Sequence, residues 1–417
     1  MEKKNNYKVS EQDINATVND FIGFCRFIDE RKLMLSKRKE VLGKNDLFDL
    51  NAQLNFRKDV AAPNYQQESY PVIDLMFNLA VSGKLFVKTG DPKGNVYLKN
   101  TIRKAEFDAL NNFEKYSFLL KTFWTEYDFT EILRWGNDPI NEMVLTMAGS
   151  RPGQELDKGS FSKRKDYDPA FSYYSVLIHY FSYFGFCTFI PIVDEYKKLT
   201  KYDDLIKVVI PTEIGVNFCK ILAEQKITAW NIPWQEINGD YYDEHEEEND
   251  SGLVPLLRHF EPVFPEGVLI NTVEDESTKL ITGTYIFKVS LEKNVWRKVK
   301  LSFNHSLHDL HLAIQGAFDF DNDHLYAFFM DGKRYSRNAY HSPMGDEGPF
   351  ADEAIIGELE MYSGQKILYF FDYGDSWEFA VQLLKINEGE LPPEKPEIIE
   401  IKGDAPEQYG HFDEDEE

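Results

Sequence analysis

Near the C-terminal end, His311, Gln315, His324, Asp372, Asp375 and Glu378 gather the side-chain types that hold ligands or move protons. Imidazoles together with carboxylates suit Zn, Mn or Fe, or an acid–base pair. No H-x-x-x-H or H-x-H spacing holds the imidazoles together, so no metal and no cofactor is assigned, and no catalytic residue is named. Asp372 and Asp375 flank Tyr373-Gly374, a spacing at which carboxylates cap the N–H groups of a turn. Catalysis would need both to converge on a cleft. Strand alternation puts Trp377 and Glu378 on opposite faces, Trp377 in the core and Glu378 on a rim with His324. Helical phase sets His311 close to the Leu307–Phe318 line, half in the core, with His308 and Gln315 further round. The plain use of His311 is a core imidazole bonded to backbone or an acid; the functional use pairs it with His324, Asp372 or Asp375. There is no phosphate-binding loop, dinucleotide fingerprint or nucleophile elbow.

The elements that must position these groups are legible around them. HLYAFFMDGKRY at 324–335 and KILYFFDYGDSWEF at 366–379 alternate apolar with polar, as strands do. Tyr285, Phe287, Val289 and Leu291 alternate too, Glu292-Lys293-Asn294 turns, and Arg297, Val299, Leu301 and Phe303 return, so 283–303 reads as a hairpin. Ser306 with Asp309 three residues on makes a capping box before a helix whose core stripe is Leu307, Leu310, Ile314, Ala317 and Phe318. The long loop 336–353 is rich in Gly, Pro and polar groups, and Arg334, Arg337 and His341 around it would suit an anion. Hairpin, helix and further strands make an α+β domain with β-grasp-like order.

WRKVKL at 296–301, SLHDLHLAIQGAF at 306–318, HLYAF at 324–328 and DYGDSWEF at 372–379 occur in order, and together they resemble the plasmid ORF-three-like family. That family is named from a root-inducing plasmid and carries an insertion-element passenger label. The resemblance covers about residues 283–390. It implies a compact α+β domain and a link to plasmids or mobile elements, with no activity attached. The family turn ends in Trp-Glu-His; Phe379 stands at that His position here, which removes any role resting on it.

The rest of the chain is different in kind. At 417 residues, two or three domains are expected. The net charge of −25 is uneven: residues 231–417 hold 14 Lys and Arg against 40 Asp and Glu, whereas 1–230 are near neutral. Acidity of that size repels a nucleic-acid backbone and keeps a protein soluble. Residues 70–124 read as helix, short strand, turn, strand and one long helix through Leu110, Phe113, Leu120 and Trp124. Residues 172–224 repeat that order, so the mainly helical N-terminal half resembles tandem winged-helix-like units. Lys37, Arg38, Lys39, Lys84, Lys88 and Lys93 are its candidate nucleic-acid contacts. The expected divisions are a helical segment at 1–60, winged-helix-like units at 61–150 and 151–232, an acidic linker at 233–282, the α+β domain at 283–403 and an acidic tail at 404–417. Cys25, Cys187 and Cys219 are odd in number and far apart, which fits reduced, buried thiols in a cytoplasmic protein. No apolar run is long enough to span a bilayer, and no signal peptide is visible.

The sequence therefore points to a multi-domain, non-enzymatic binding or regulatory protein linked to mobile elements. Its partner would be a protein or peptide, with nucleic acid as a second class through residues 1–230 and no membrane. A metal-assisted hydrolase using the His/Asp groups and a structural scaffold are the competing classes.

Overall fold

The structure, a computed structural model, describes residues 7–37, 39–91, 95–129, 132, 138–157, 160, 175–192, 206–238, 256–273, 280–346 and 348–409. It divides into two units, Met1–Val87 with Leu98–Glu274, and Lys88–Tyr97 with Asp275–Glu417. The architecture is mixed, with helices dominating the N-terminal part and a seven-stranded antiparallel sheet in the C-terminal part.

The first unit opens with α1, Glu11–Arg31, whose start is set by Asp13 accepting from the Ser10 N–H at 2.8 Å. Ile14, Val18, Phe21, Phe24 and Ile28 give it one apolar face, all buried. α2, Lys44–Asn51, follows, and then α3, Pro71–Ser82, with proline in its first turn. Strands β1, Phe86–Gly90, and β2, Val96–Asn100, pair as a two-stranded sheet. The expected single helix through Leu110 and Trp124 is two helices, α4, Ile102–Ala109, and α5, Asn112–Thr125. The reason is local: Asn111 Oδ1 accepts from the Glu114 N–H at 3.0 Å while Glu114 accepts from the Asn111 N–H at 2.8 Å. That reciprocal cap starts a new helix at the break.

After α6, Pro139–Ala148, the order recurs as α7, Ser175–Tyr183, β3, Cys187–Pro191, β4, Ile206–Pro211, and α8, Glu213–Glu224. Gly185, at φ +76°, makes the left-handed exit from α7 that a side chain would resist. Thr212 starts α8 by accepting from the Gly215 N–H at 3.0 Å. Both stretches are thus helix, hairpin, helix, as their spacing predicts. No residue of α3 or α7 is exposed.

Two short helices, α9, Ile227–Trp230, and α10, Ile232–Asn238, precede α11, Leu256–Phe260. Of the stretch expected as a linker, residues 239–255 and 274–279 lie outside the described residues. Leu256, Phe260, Val263 and Phe264 are buried, and Phe260 stacks on Phe218 with ring centroids 5.2 Å apart. Glu114 Oε1 accepts from the N–H groups of Ile270 at 3.0 Å and Asn271 at 2.6 Å, so this segment is held to α5. Burial would raise the Glu114 carboxyl pKa, but the N–H groups of Asn271, Asn111 and Ile270 together hold it below its ordinary value.

In the second unit the sheet order is β11-β6-β5-β10-β9-β7-β8. The strands are β5, Gly283–Glu292; β6, Val295–Ser302; β7, Tyr326–Phe329; β8, Ala339–His341; β9, Lys366–Phe371; β10, Trp377–Glu388; and β11, Glu397–Lys402. β5 and β6 form the expected hairpin. One helix, α12, Leu307–Phe318, lies on the sheet. Ser306 and Asp309 make its capping box, Ser306 Oγ accepting from the Asp309 N–H at 3.1 Å and Asp309 Oδ2 accepting from the Ser306 N–H at 2.8 Å. Leu307, Leu310, Ile314 and Phe318 pack against Phe287, Val289, Val299, Leu301, Tyr369 and Phe379. Each large side chain buried there contributes about 1.5–3 kcal/mol. The opposite face of β7, β8 and β9 carries a small apolar group, Ala327, Phe329, Ala339 and Phe370.

The described thiols of Cys25, Cys187 and Cys219 are buried and unbridged, and burial pushes all three above the ordinary thiol range. No described helix is long and apolar enough to cross a membrane.

Candidate functional site

The polar residues singled out in the C-terminal sequence fall in three separate places. His311 and Gln315 lie on the sheet side of α12. His311 is not half in the core: it is fully buried, one turn on from Leu307 and just before Ile314. Its Nε2 donates to Asn322 Oδ1 at 2.7 Å, which leaves Nδ1 to accept from the Tyr369 hydroxyl at 2.7 Å. Gln315 Nε2 donates to the same hydroxyl at 2.7 Å, while Gln315 Oε1 is buried without a hydrogen-bond partner. The His311 ring stacks on Tyr326, with centroids 3.7 Å apart, and His308 Nδ1 lies 2.6 Å from the Tyr326 hydroxyl. Burial, opposed by the Asn322 bond and aided by His308, drives the His311 pKa down to about 4. His311 is therefore a neutral imidazole with both nitrogens engaged.

The second place is the rim at the start of β7 and the end of β9. His324 Nε2 lies 3.4 Å from Asp372 Oδ2 and 3.7 Å from Asp323 Oδ1. Asp372 is buried, sits at φ +56°, and its Oδ1 accepts from the N–H groups of Gly374 at 2.8 Å and Asp375 at 3.3 Å. This is the turn-capping use expected of the pair; Asp375 contributes its N–H, and its side chain faces solvent. The Tyr409 hydroxyl donates to Asp323 at 2.8 Å, and burial with that carboxylate raises its pKa to about 12.

The third place is the outer face of the sheet. Trp377 packs on the core through Phe320, with centroids 4.9 Å apart, and Glu378 points the other way to Arg334 at 3.3 Å, as alternation predicts. Arg334 stacks over Phe370 at 4.2 Å and over the exposed Tyr335 at 4.8 Å. Phe379 is fully buried. Among the described residues no three His, Cys, Asp or Glu side chains are placed to share a cation.

A concave surface lies elsewhere, formed by the loop that the sequence marked by its length and the residues just after it. Leu280, Tyr340, Pro349, Phe350, Ala354, Ile355 and Leu359 line an open groove of about 400 Å³ together with Glu353 and Glu358. No Lys or Arg is among these lining residues. Backbone hydrogen bonds hold its walls. His341 N donates to Pro349 O and Ala351 N returns to His341 O, each at 2.8 Å. The start of α12 fixes the floor, with His308 N donating to Ala351 O at 2.9 Å and Leu307 N to Ala354 O at 3.0 Å. Gly357 N donates to Phe303 O at 2.9 Å and its carbonyl accepts from Ile281 N at 3.2 Å. A Cβ at Gly357 would stand 3.0 Å from Phe303 O and 2.9 Å from Leu280 Cδ1, so glycine permits the close approach. Sequence reasoning missed these residues because the groove joins Leu280, Tyr340 and 349–359, three stretches with no shared motif. The length of the loop was the signal.

This sheet and helix also carry the blocks that suggested a family. Residues 284–413 match the family model of the plasmid pRiA4b ORF-3-like protein. The match bears out the resemblance read from the C-terminal blocks. The matched segment is similar to the uncharacterized protein y4hQ of Sinorhizobium fredii (strain NBRC 101917 / NGR234). That similarity is 26% identity over 132 residues, 30% of this chain and 66% of that protein. It is also similar to a crystal structure of a protein of unknown function, MM3350 from Methanosarcina mazei Go1, at 28% identity. That match covers 30% of this chain and 72% of the other, with a TM-score of 0.25. The groove and all three polar places lie within or beside the matched segment.

The candidate nucleic-acid contacts of the N-terminal part are dispersed. Lys37 is exposed in the turn after α1. Lys39 Nζ bonds Gln66 at 3.1 Å and the Glu68 carboxylate at 3.0 Å. Lys84 follows α3 at φ +53°, and Lys88 Nζ lies 5.9 Å over the Tyr362 ring, both of those residues belonging to the second unit. Arg38 and Lys93 lie outside the described residues.

Proposed function

We propose that the protein is a non-enzymatic binding protein whose plasmid pRiA4b ORF-3-like segment takes a basic, partly apolar peptide segment of a protein partner in the groove at 280, 340 and 349–359. The observation that carries this reading is the groove itself: apolar walls for a hydrophobic anchor, with the carboxylates of Glu353 and Glu358 and no cation among the lining residues. The acidic balance of residues 231–417 adds long-range attraction for such a segment. A metal-assisted hydrolase is less well supported. His311 has both nitrogens bonded, and Asp372 has one oxygen on turn N–H groups and the other beside His324.

We read the two helix–hairpin–helix stretches as winged-helix-like units that serve as protein-contact elements. A helix that reads a groove needs exposed polar positions, and α3 has none. The mobile-element link rests on the family alone.

Selection of a random-peptide display library on the folded full chain tests the reading. Peptides pairing Lys or Arg with a leucine or aromatic anchor should enrich, and should fail to bind the Glu353→Lys, Glu358→Lys variant. Enrichment of acidic peptides, or equal binding to that variant, would overturn it.

A further inference from the structure

β11 is an edge of the seven-stranded sheet: it pairs with β6 on one side, and no described strand pairs with the other. All six of its residues are exposed, with Ile398 at 38%, Ile399 at 46% and Ile401 at 64%. An edge that shows unpaired main-chain groups and branched apolar side chains is a template for another strand. Its pairing with β6 defines which way each side chain points. Ile398 lies opposite Val299, and Ile401 opposite Arg297, both buried on the helix-bearing face. Glu397, Glu400 and Lys402 lie opposite Lys300, Lys298 and Trp296, on the other face.

A three-residue separation would normally put Ile398 and Ile401 on opposite faces. They share a face because the ladder has a bulge between Ile398 and Glu400. That bulge makes the strand self-complementary. When two copies of β11 run antiparallel about a two-fold axis between positions 399 and 400, Ile398 meets the copy's Ile401 on the helix-bearing face. On the opposite face Glu397 meets the copy's Lys402, an opposite-charge pair. Glu400 lies opposite the copy's Ile399 beside the axis and diagonal to the copy's Glu400, and each of those two carboxylates is already paired with Lys298 of its own chain at 2.5 Å. The end of the strand is also held in place. Arg297 donates to the carbonyls of Lys402 and Gly403, each at 3.1 Å, and to Ala317 O at 2.8 Å at the end of α12.

We propose that the outer edge of β11 is a homodimer interface, at which a second copy of this chain adds its own β11 to make one continuous antiparallel sheet. The isologous symmetry follows from the strand matching itself. A pair of six-residue strands buries less than a standard interface, so the dimer forms reversibly with concentration.

The test is sedimentation velocity of the full chain across about a hundredfold range of concentration. The wild type should shift from monomer to dimer. Lys402→Glu sets Glu397 against a new carboxylate twice per dimer and should weaken association at least about tenfold. Adding Glu397→Lys to it reverses both charges and should restore dimerisation. Ile401→Lys, which places a charge on the apolar stripe, should give a folded monomer at every concentration. Amide exchange of 397–402 in the wild type should slow as concentration rises. A wild-type monomer throughout would overturn the proposal, as would a dimer indifferent to Lys402→Glu and to the charge swap.

Discussion

At the scale of single residues, the decisive group is His311. It is buried and neutral with a pKa near 4, against about 6.5 in an unfolded chain. A histidine whose folded pKa is depressed leaves stability untouched above its unfolded value. It removes stability as pH falls from there toward the folded one, because only the unfolded state takes up the proton. The loss should reach on the order of 3 kcal/mol by pH 4. Urea unfolding of the wild type and of His311→Leu across that window isolates the contribution, the variant showing the shallower slope. Tyr369→Phe removes the hydroxyl that accepts from Gln315 and donates to His311. Two buried polar atoms then lose their partner, and the same measurement should register a loss of about 2–4 kcal/mol. Equal slopes, or an unchanged midpoint in Tyr369→Phe, would mean that this network is not formed. Helical phase put His311 beside the apolar stripe. Its full burial depends on Tyr369, 58 residues on, and on Asn322, which no local pattern connects to it.

At the scale of elements, what was local was legible. The Ser306–Asp309 capping box, the β5–β6 turn and the opposed faces of Trp377 and Glu378 depend on neighbours within a few residues. The break between α4 and α5 was written in the same code, Asn111 with Glu114 three residues on, but the apolar spacing running across it suggested one helix. What was not legible is how closely elements approach. A Cβ at Gly215 would lie 1.8 Å from Phe186 O, so α8 meets the turn before β3 at backbone contact. Gly23, inside α1, has nothing within 4 Å of its Cβ position. Gly215→Ala should therefore destabilise by more than about 3 kcal/mol, while Gly23→Ala should stabilise by about 0.5–1 kcal/mol. Thermal or denaturant unfolding of the pair checks both, and a mild effect at Gly215 would contradict the packing of α8. The groove belongs to this scale too. Its walls are three chain segments drawn together by backbone bonds to α12, so the loop length hinted at function without naming Glu353 or Glu358.

At the scale of the whole molecule, charge and shape combine. The near-neutral 1–230 and the acidic remainder give the chain two electrostatic characters, and the groove with its carboxylates lies in the acidic part. Attraction between exposed charges falls off over a screening length of about 8 Å at physiological salt, so binding should weaken as salt is added. The apolar anchor should hold the residual affinity. The most direct measurement is isothermal titration of the full chain with a short synthetic peptide carrying a leucine flanked by lysines, against its acidic counterpart with glutamates in place of the lysines. A peptide site at this groove gives saturable, salt-weakened binding of the basic peptide, lost in Glu353→Lys, Glu358→Lys, and no binding of the acidic one. Equal heats for both peptides, or binding indifferent to that variant, would contradict it.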